Sequence, residues 1–154
     1  MSPIESNAGF AAADLTTKTL KTAREGLLRV HRLLLDVERI ELERTHGRLT
    51  PGEYLQLVLN DPALAWLRPA SQLIVQIDEA LDEAEHNHGP VESEVAAALL
   101  ARVRGMLTLM PPTTNFATRY LEMLQRHPDV VFAHRDLVAE LPKGFLGPPP
   151  SMLS

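Results

Sequence analysis

The sequence predicts an all-α fold: an antiparallel bundle of about four long helices plus a short two-piece helical corner. Apolar residues recur three and four apart through long proline-free runs, which is the spacing of one helix face. Proline and glycine clusters cut those runs into segments joined by short turns, and short turns set neighbouring helices side by side. The β-branched residues sit inside the three-and-four patterns and never in alternating runs, so no strand is expected.

Residues 1–13 hold Ser, Asn, Gly and a run of Ala without a sustained period, and read as a flexible lead before Asp14, a helix cap. From Leu15 to His46 there is no proline, and Leu20, Ala23, Leu27, Val30, Leu34 and Val37 share one face of a long first helix. Gly47 suits the left-handed turn that ends a helix. Thr50-Pro51-Gly52-Glu53 then has the form of a capping box with proline in the first turn, predicting a short helix over Pro51–Leu59. Asp61-Pro62 repeats the device before Ala63–Leu67. The two pieces make a corner that is apolar on most sides and is expected to be largely buried.

The next helix is expected from Pro69 to Asn87, with Leu73, Ile74, Ile77, Leu81 and Ala84 inward and Gly89-Pro90 closing it. Another runs from Val91 to Met110 on Val95, Ala96, Leu99, Val103, Met106 and Met110, until Pro111-Pro112 stops it. A fifth element near Asn115–Arg126 carries Phe116, Tyr120, Leu121 and Leu124, and a sixth runs from Pro128 to Leu141. Residues 14–141 thus form one helical domain, followed by a Pro/Gly-rich tail over 142–154 that reads as mobile.

Composition narrows the function classes. The chain has 154 residues, enough for one domain with its own core, and no cysteine, which removes thiolate catalysis, iron–sulfur ligation, Cys-rich zinc sites and disulfides. Its net charge of −5 lacks the positive field that supplies most non-specific nucleic-acid affinity. No apolar run approaches the ~18 residues that read as a bilayer span, and the first residues show no basic-then-apolar leader, so a cytoplasmic, non-membrane protein is expected. The charge is uneven. Lys18, Lys21, Arg24, Arg29 and Arg32 crowd the first helix, whereas Asp78, Glu79, Asp82, Glu83 and Glu85 crowd the third, which predicts antiparallel packing of the two.

Asn60-Asp61-Pro62, Trp66-Leu67-Arg68-Pro69, Gln76-Ile77-Asp78-Glu79 and His127-Pro128-Asp129-Val130-Val131 resemble a group of short, uncharacterised bacterial all-helical proteins, over roughly residues 27–141. The resemblance implies a bacterial, cytoplasmic helical protein and brings no activity, substrate or catalytic residue with it.

The most informative local feature is a polar stripe. Arg24, His31, Glu38 and Thr45 repeat every seven residues within the apolar arc of the first helix. Ionisable groups inside a core must be paired, hydrogen-bonded, metal-bound or neutralised. His134 lies between apolar residues of the last helix and also points inward. Two imidazoles and a carboxylate, His31, His134 and Glu38, with Glu41 or Asp78 nearby, are the raw material of a divalent metal site or of an inert hydrogen-bond network.

The Glu-x-x-His pairs Glu43/His46 and Glu83/His86 have the spacing of di-iron bundles. Both sit in a last helical turn, where histidine is more simply explained by interaction with free carbonyls. His134-Arg135-Asp136 repeats a kinase catalytic tripeptide without the glycine-rich loop or strand-borne lysine that chemistry needs. Tyr54 and Trp66 either close the end of the bundle or form an apolar docking patch.

With no cofactor motif, nucleophile or phosphate loop, the leading expectation is a non-enzymatic helical module that associates with itself or another protein. The alternative is a metal-binding or redox bundle using His31, Glu38 and His134. A third reading, an apolar-ligand carrier, requires a closed cavity between helices.

Overall fold

The computed structural model describes residues 3–142, which form six α-helices and one 3-10 segment and no strand. Helix α1 spans Pro3–His46, a rod of 44 residues and about 66 Å. It starts well before Asp14, which is an exposed residue inside the helix and caps nothing, so the part of the expected lead over 3–13 that is described is helical. The physical reason is that lengthening a formed helix needs one hydrogen bond per residue fixed, and the Ala-rich run favours it without any apolar period. The expected tail lies outside the described residues apart from Pro142.

The predicted punctuation forms as local chemistry dictates. Gly47 takes φ +78° and its N–H donates to Glu43 O at 3.0 Å. Helix α2 spans Pro51–Asn60, with Glu53 N donating to Thr50 Oγ1 and Thr50 N donating to the Glu53 carboxylate. Asp61 Oδ1 accepts from Ala63 N at 2.9 Å and opens the 3-10 segment Pro62–Leu67. Only the second half of this corner is buried. Leu64, Trp66 and Leu67 point into the core, whereas α2 buries no residue and exposes Leu55 and Leu59.

Helix α3 spans Arg68–His86, α4 Ser93–Met106, α5 Asn115–Arg126 and α6 Pro128–Glu140. Helix α4 is shorter than the expected Val91–Met110, and Val95 and Met110 are exposed where inward positions were expected. Leu27, Leu34, Leu99, Val103 and Leu137 are buried as expected, while Leu81 is half-buried.

Helix α1 is the hub. Helices α3, α4 and α6 pack against it, α3 packs on α4, and α5 packs on α6 and the 3-10 segment. Leu20, Leu27, Val30 and Leu34 of α1 meet Ile77 of α3, Leu100 and Val103 of α4, Tyr120 of α5 and Leu137 of α6 in one core. Helix α3 runs against α1: Arg24 bonds Asp78, and Val91, beyond the end of α3, donates its N–H to the buried Thr17 Oγ1 at 3.0 Å. Of the charge contacts the asymmetry predicts between α1 and α3, Arg24–Asp78 forms, while Arg29 pairs instead with Asp136 of α6. Gly26 lets α6 approach closely, since a Cβ there would stand 2.8 Å from Leu137 Cδ1.

Candidate functional site

Two regions combine chemistry with shape, a polar cluster at the corner end of α1 and an open groove beside it. Glu38 is the only acidic or basic side chain buried among the described residues, at 7% exposure. Its partner comes from α5, where Arg119 donates to Glu38 Oε1 at 3.4 Å and to Glu122 Oε2 at 2.9 Å. Burial raises the Glu38 carboxyl above its ordinary range; Arg119 opposes that and the neighbouring Glu41 adds to it.

Arg119 also lies over the Trp66 ring, 5.7 Å from its centroid, and its position over the negative face of the indole holds the guanidinium where Glu38 can use it. Behind it an aromatic ladder runs inward from Trp66 to Phe116 at 5.8 Å, Phe116 to Tyr120 at 5.4 Å, and Tyr120 to His134 at 5.4 Å between centroids.

The ladder ends in a hydrogen bond of 2.9 Å between Tyr120 Oη and His134 Nδ1. Burial pushes the phenol pKa up and the imidazole pKa down, so both are neutral at pH 7. With the imidazole proton on Nε2 the phenol donates and Nδ1 accepts. On the α2 side Tyr54 donates to Leu35 O beneath Arg39, and burial with the fields of Glu38 and Asp36 pushes its hydroxyl up to about 12.

The polar stripe is thus answered piece by piece. Arg24 pairs with Asp78, Glu38 with Arg119, and Thr45 is exposed and bonded to its own helix. His31 is half-buried and held neutral by burial. Among the described residues no three His, Asp or Glu side chains, His31, Glu38 and His134 included, are grouped so as to hold a metal ion. The directed contacts of Glu38 and His134 are those of a hydrogen-bond network. His46 turns to Leu42 O, the interaction expected of a histidine at a helix C-terminus.

Trp66, expected as a closing or docking residue, is 3% exposed and lies in the core, lining an open groove with part of its ring. Its indole N–H is buried without a hydrogen-bond partner, an omission that costs about 1–3 kcal/mol and is offset by the packing of the ring. Tyr54 is half-buried, with its hydroxyl donating to Leu35 O. Beside Trp66 an open groove of about 470 Å³ lies between Met106 and Phe116, with Arg102 at its rim. It opens to solvent, unlike the closed cavity a carrier requires.

Sequence reasoning missed the second groove. It lies between α1 and the α5–α6 turn, encloses about 390 Å³, and has an apolar floor of Leu33, Val37 and Val130 under a rim of Asp36, Glu41, Arg44 and Arg126. Ile40 stands at its edge with 57% of its surface exposed, in a helix whose opposite side is core. The available signal was a second apolar stripe on α1, Leu33, Val37 and Ile40, spaced four and three apart.

Among the described residues no helix is long and apolar enough to cross a membrane. Comparison with protein-family models, with curated proteins and with solved structures finds no match to this chain.

Proposed function

We propose that this chain is a non-enzymatic helical module that works by association, with itself or with another protein. Its scaffold is an antiparallel bundle of about four long helices with a two-piece corner, acting in the bacterial cytoplasm. The observation that carries the reading is the groove edged by Ile40, an apolar floor ringed by charges of both signs. Interfaces have this anatomy, an apolar centre that excludes water and a polar rim that fixes orientation. The polar cluster around Glu38 supports the same reading from the other side. Its groups are committed to one another and so stiffen the end of α1 that carries the groove.

The test is photo-crosslinking in cells producing the chain, with a photoreactive phenylalanine derivative at position 40 and, as control, at the exposed position 79. A discrete protein adduct is expected from position 40 and not from position 79. No adduct from position 40, or the same adducts from both, overturns the reading.

A further inference from the structure

We infer that the occupant of the Ile40 groove is a second copy of this chain, joined by antiparallel packing of α1 on α1 about a two-fold axis at Ile40. This rests on the association reading above and names its partner. Asp36, Ile40 and Arg44 are spaced by four residues and form one ridge of α1, and all three are exposed. Ridges of this spacing are the surfaces by which helices most often pack on one another.

The order of the ridge is negative, apolar, positive. A parallel copy in register would set Asp36 on Asp36 and Arg44 on Arg44. An antiparallel copy centred on Ile40 sets each Asp36 against the partner's Arg44, twice, with the two Ile40 side chains in contact between them. The ridge is therefore complementary to its own reverse, the property a two-fold interface requires of a single patch.

The existing contacts leave these groups available. Arg44 bonds only its neighbour Glu41 at 3.2 Å among the described residues, and both side chains are 70% exposed, so that pair is weak and easily shared. Asp36 has no ion-pair partner among the described residues, although Arg32 stands exposed one turn before it on the same ridge and Arg39 stands three residues after it. Two α1–α1 ion pairs would each be flanked by apolar surface, which lowers the local dielectric and strengthens them.

The ridge alone is too small. A stable dimer buries roughly 1,200–2,000 Å² in total, so the start of α6 must be covered as well. It offers suitable surface. Val130 forms part of the groove floor, and the next residue, Val131, is exposed. The second copy is thus placed over the edge where α1 and α6 meet.

Light scattering coupled to size exclusion on the purified full chain, from about 1 to 100 µM, tests this. The wild type is expected at twice the chain mass at the upper end. Ile40→Asp should be monomeric throughout with an unchanged helical circular-dichroism spectrum, since the side chain lies outside the core. Asp36→Arg and Arg44→Asp, each of which creates two like-charge contacts across the axis, should each weaken the dimer by about tenfold or more. The double variant D36R/R44D reverses the ridge to positive, apolar, negative and should recover affinity to within about threefold of wild type.

A monomeric wild type at 100 µM, a dimer indifferent to Ile40→Asp, or a double variant no better than the singles overturns the proposal. The crosslinking at position 40 separates this failure from the broader one. A discrete adduct with a different protein leaves association standing and removes the second copy, whereas no adduct removes both.

Discussion

Replacing Gly26 by alanine sets two well-measured effects against each other at one place. Alanine is favoured over glycine inside a helix by about 1 kcal/mol, so on an open face this change would stabilise α1. At Gly26, however, the new Cβ would stand 2.8 Å from Leu137 Cδ1, 3.3 Å from Leu137 Cβ and 3.5 Å from Leu137 Cα. Leu137 has 0% exposure, so its methyl can swing only into occupied core, and its Cβ can retreat only if α6 shifts. Overpacking of this kind costs about 1–3 kcal/mol.

The steric cost outweighs the gain in helix propensity, and Gly26→Ala is expected to destabilise the protein by about 1 kcal/mol net. Truncating the obstacle reverses the sign. In a Leu137→Ala background, itself about 2–5 kcal/mol less stable than wild type, the methyl contact is gone and only the milder 3.3 Å Cβ contact remains, so Gly26→Ala should stabilise by up to about 0.5 kcal/mol. Urea unfolding of the four proteins by circular dichroism, fitted with a common slope, measures the cycle. A Gly26→Ala protein more stable than wild type, or one whose cost persists in the Leu137→Ala background, would refute the steric account of the α1–α6 approach.

Arg119→Met strips Glu38 of its partner while keeping an aliphatic stem over Trp66. It should cost about 1–3 kcal/mol, less than a fully buried pair because Arg119 is 39% exposed, and Glu38→Gln in the same background should recover part of that loss. If Arg119→Met costs the same in the wild type and in the Glu38→Gln variant, measured by the same unfolding assay, the pair is idle. The pH dependence follows from His31 and His134, whose pKa values burial lowers from 6.5. The unfolded chain then takes up protons before the folded one, so stability is lost as pH falls below about 6.5, while Glu38, shifted upward, works the opposite way at lower pH. The melting temperature should drop between about pH 7 and pH 5.5, and the double variant His31→Gln/His134→Gln should lose most of that drop; an unchanged drop would place the acid sensitivity elsewhere.

What could be read from the residues was local. The Thr50 box, the Asp61 cap and the Gly47 stop depend on groups within four residues of one another, and each forms as the spacing dictates. The face bearing Leu27 and Leu34 was legible because a full stripe of large apolar residues has one place to go. Periodicity does not say whether a partner exists for a given face. Helix α2 packs Tyr54, Leu57 and Val58 against the core only in part and leaves Leu55 and Leu59 exposed, and Val95 is exposed although Ala96, Leu99 and Val103 of the same stripe are buried. The polar stripe announced that Glu38 needed an answer, but the answer, Arg119, is 81 residues away on a helix whose own pattern gives no hint of the meeting. The choice between metal site and network was closed to the sequence for the same reason. Residue types suggested a cluster, and only the packing of α5 shows that one arginine and one tyrosine take up the carboxylate and the imidazole.

The hub precedes every helix that covers it, and this order shapes how the fold is made. Helix α1 is synthesised before everything that covers it: Asp78 is 54 residues beyond Arg24, Val91 is 74 beyond Thr17, and Asp136 is 107 beyond Arg29. At a ribosomal pace of about 5–20 residues per second, the last of these waits is on the order of 5–20 s. During it Leu20, Leu27 and Leu34 have no permanent cover. A helical protein is usually counted among the fast folders because its contacts are short-range, but here the contacts that close the core span much of the chain and carry the loop-closure cost of a slower topology. The nascent chain is thus most vulnerable to aggregation and to premature termination in the interval before α6 emerges, and a truncated product lacking α6 would present the most apolar face of the molecule to whatever binds unfolded chains.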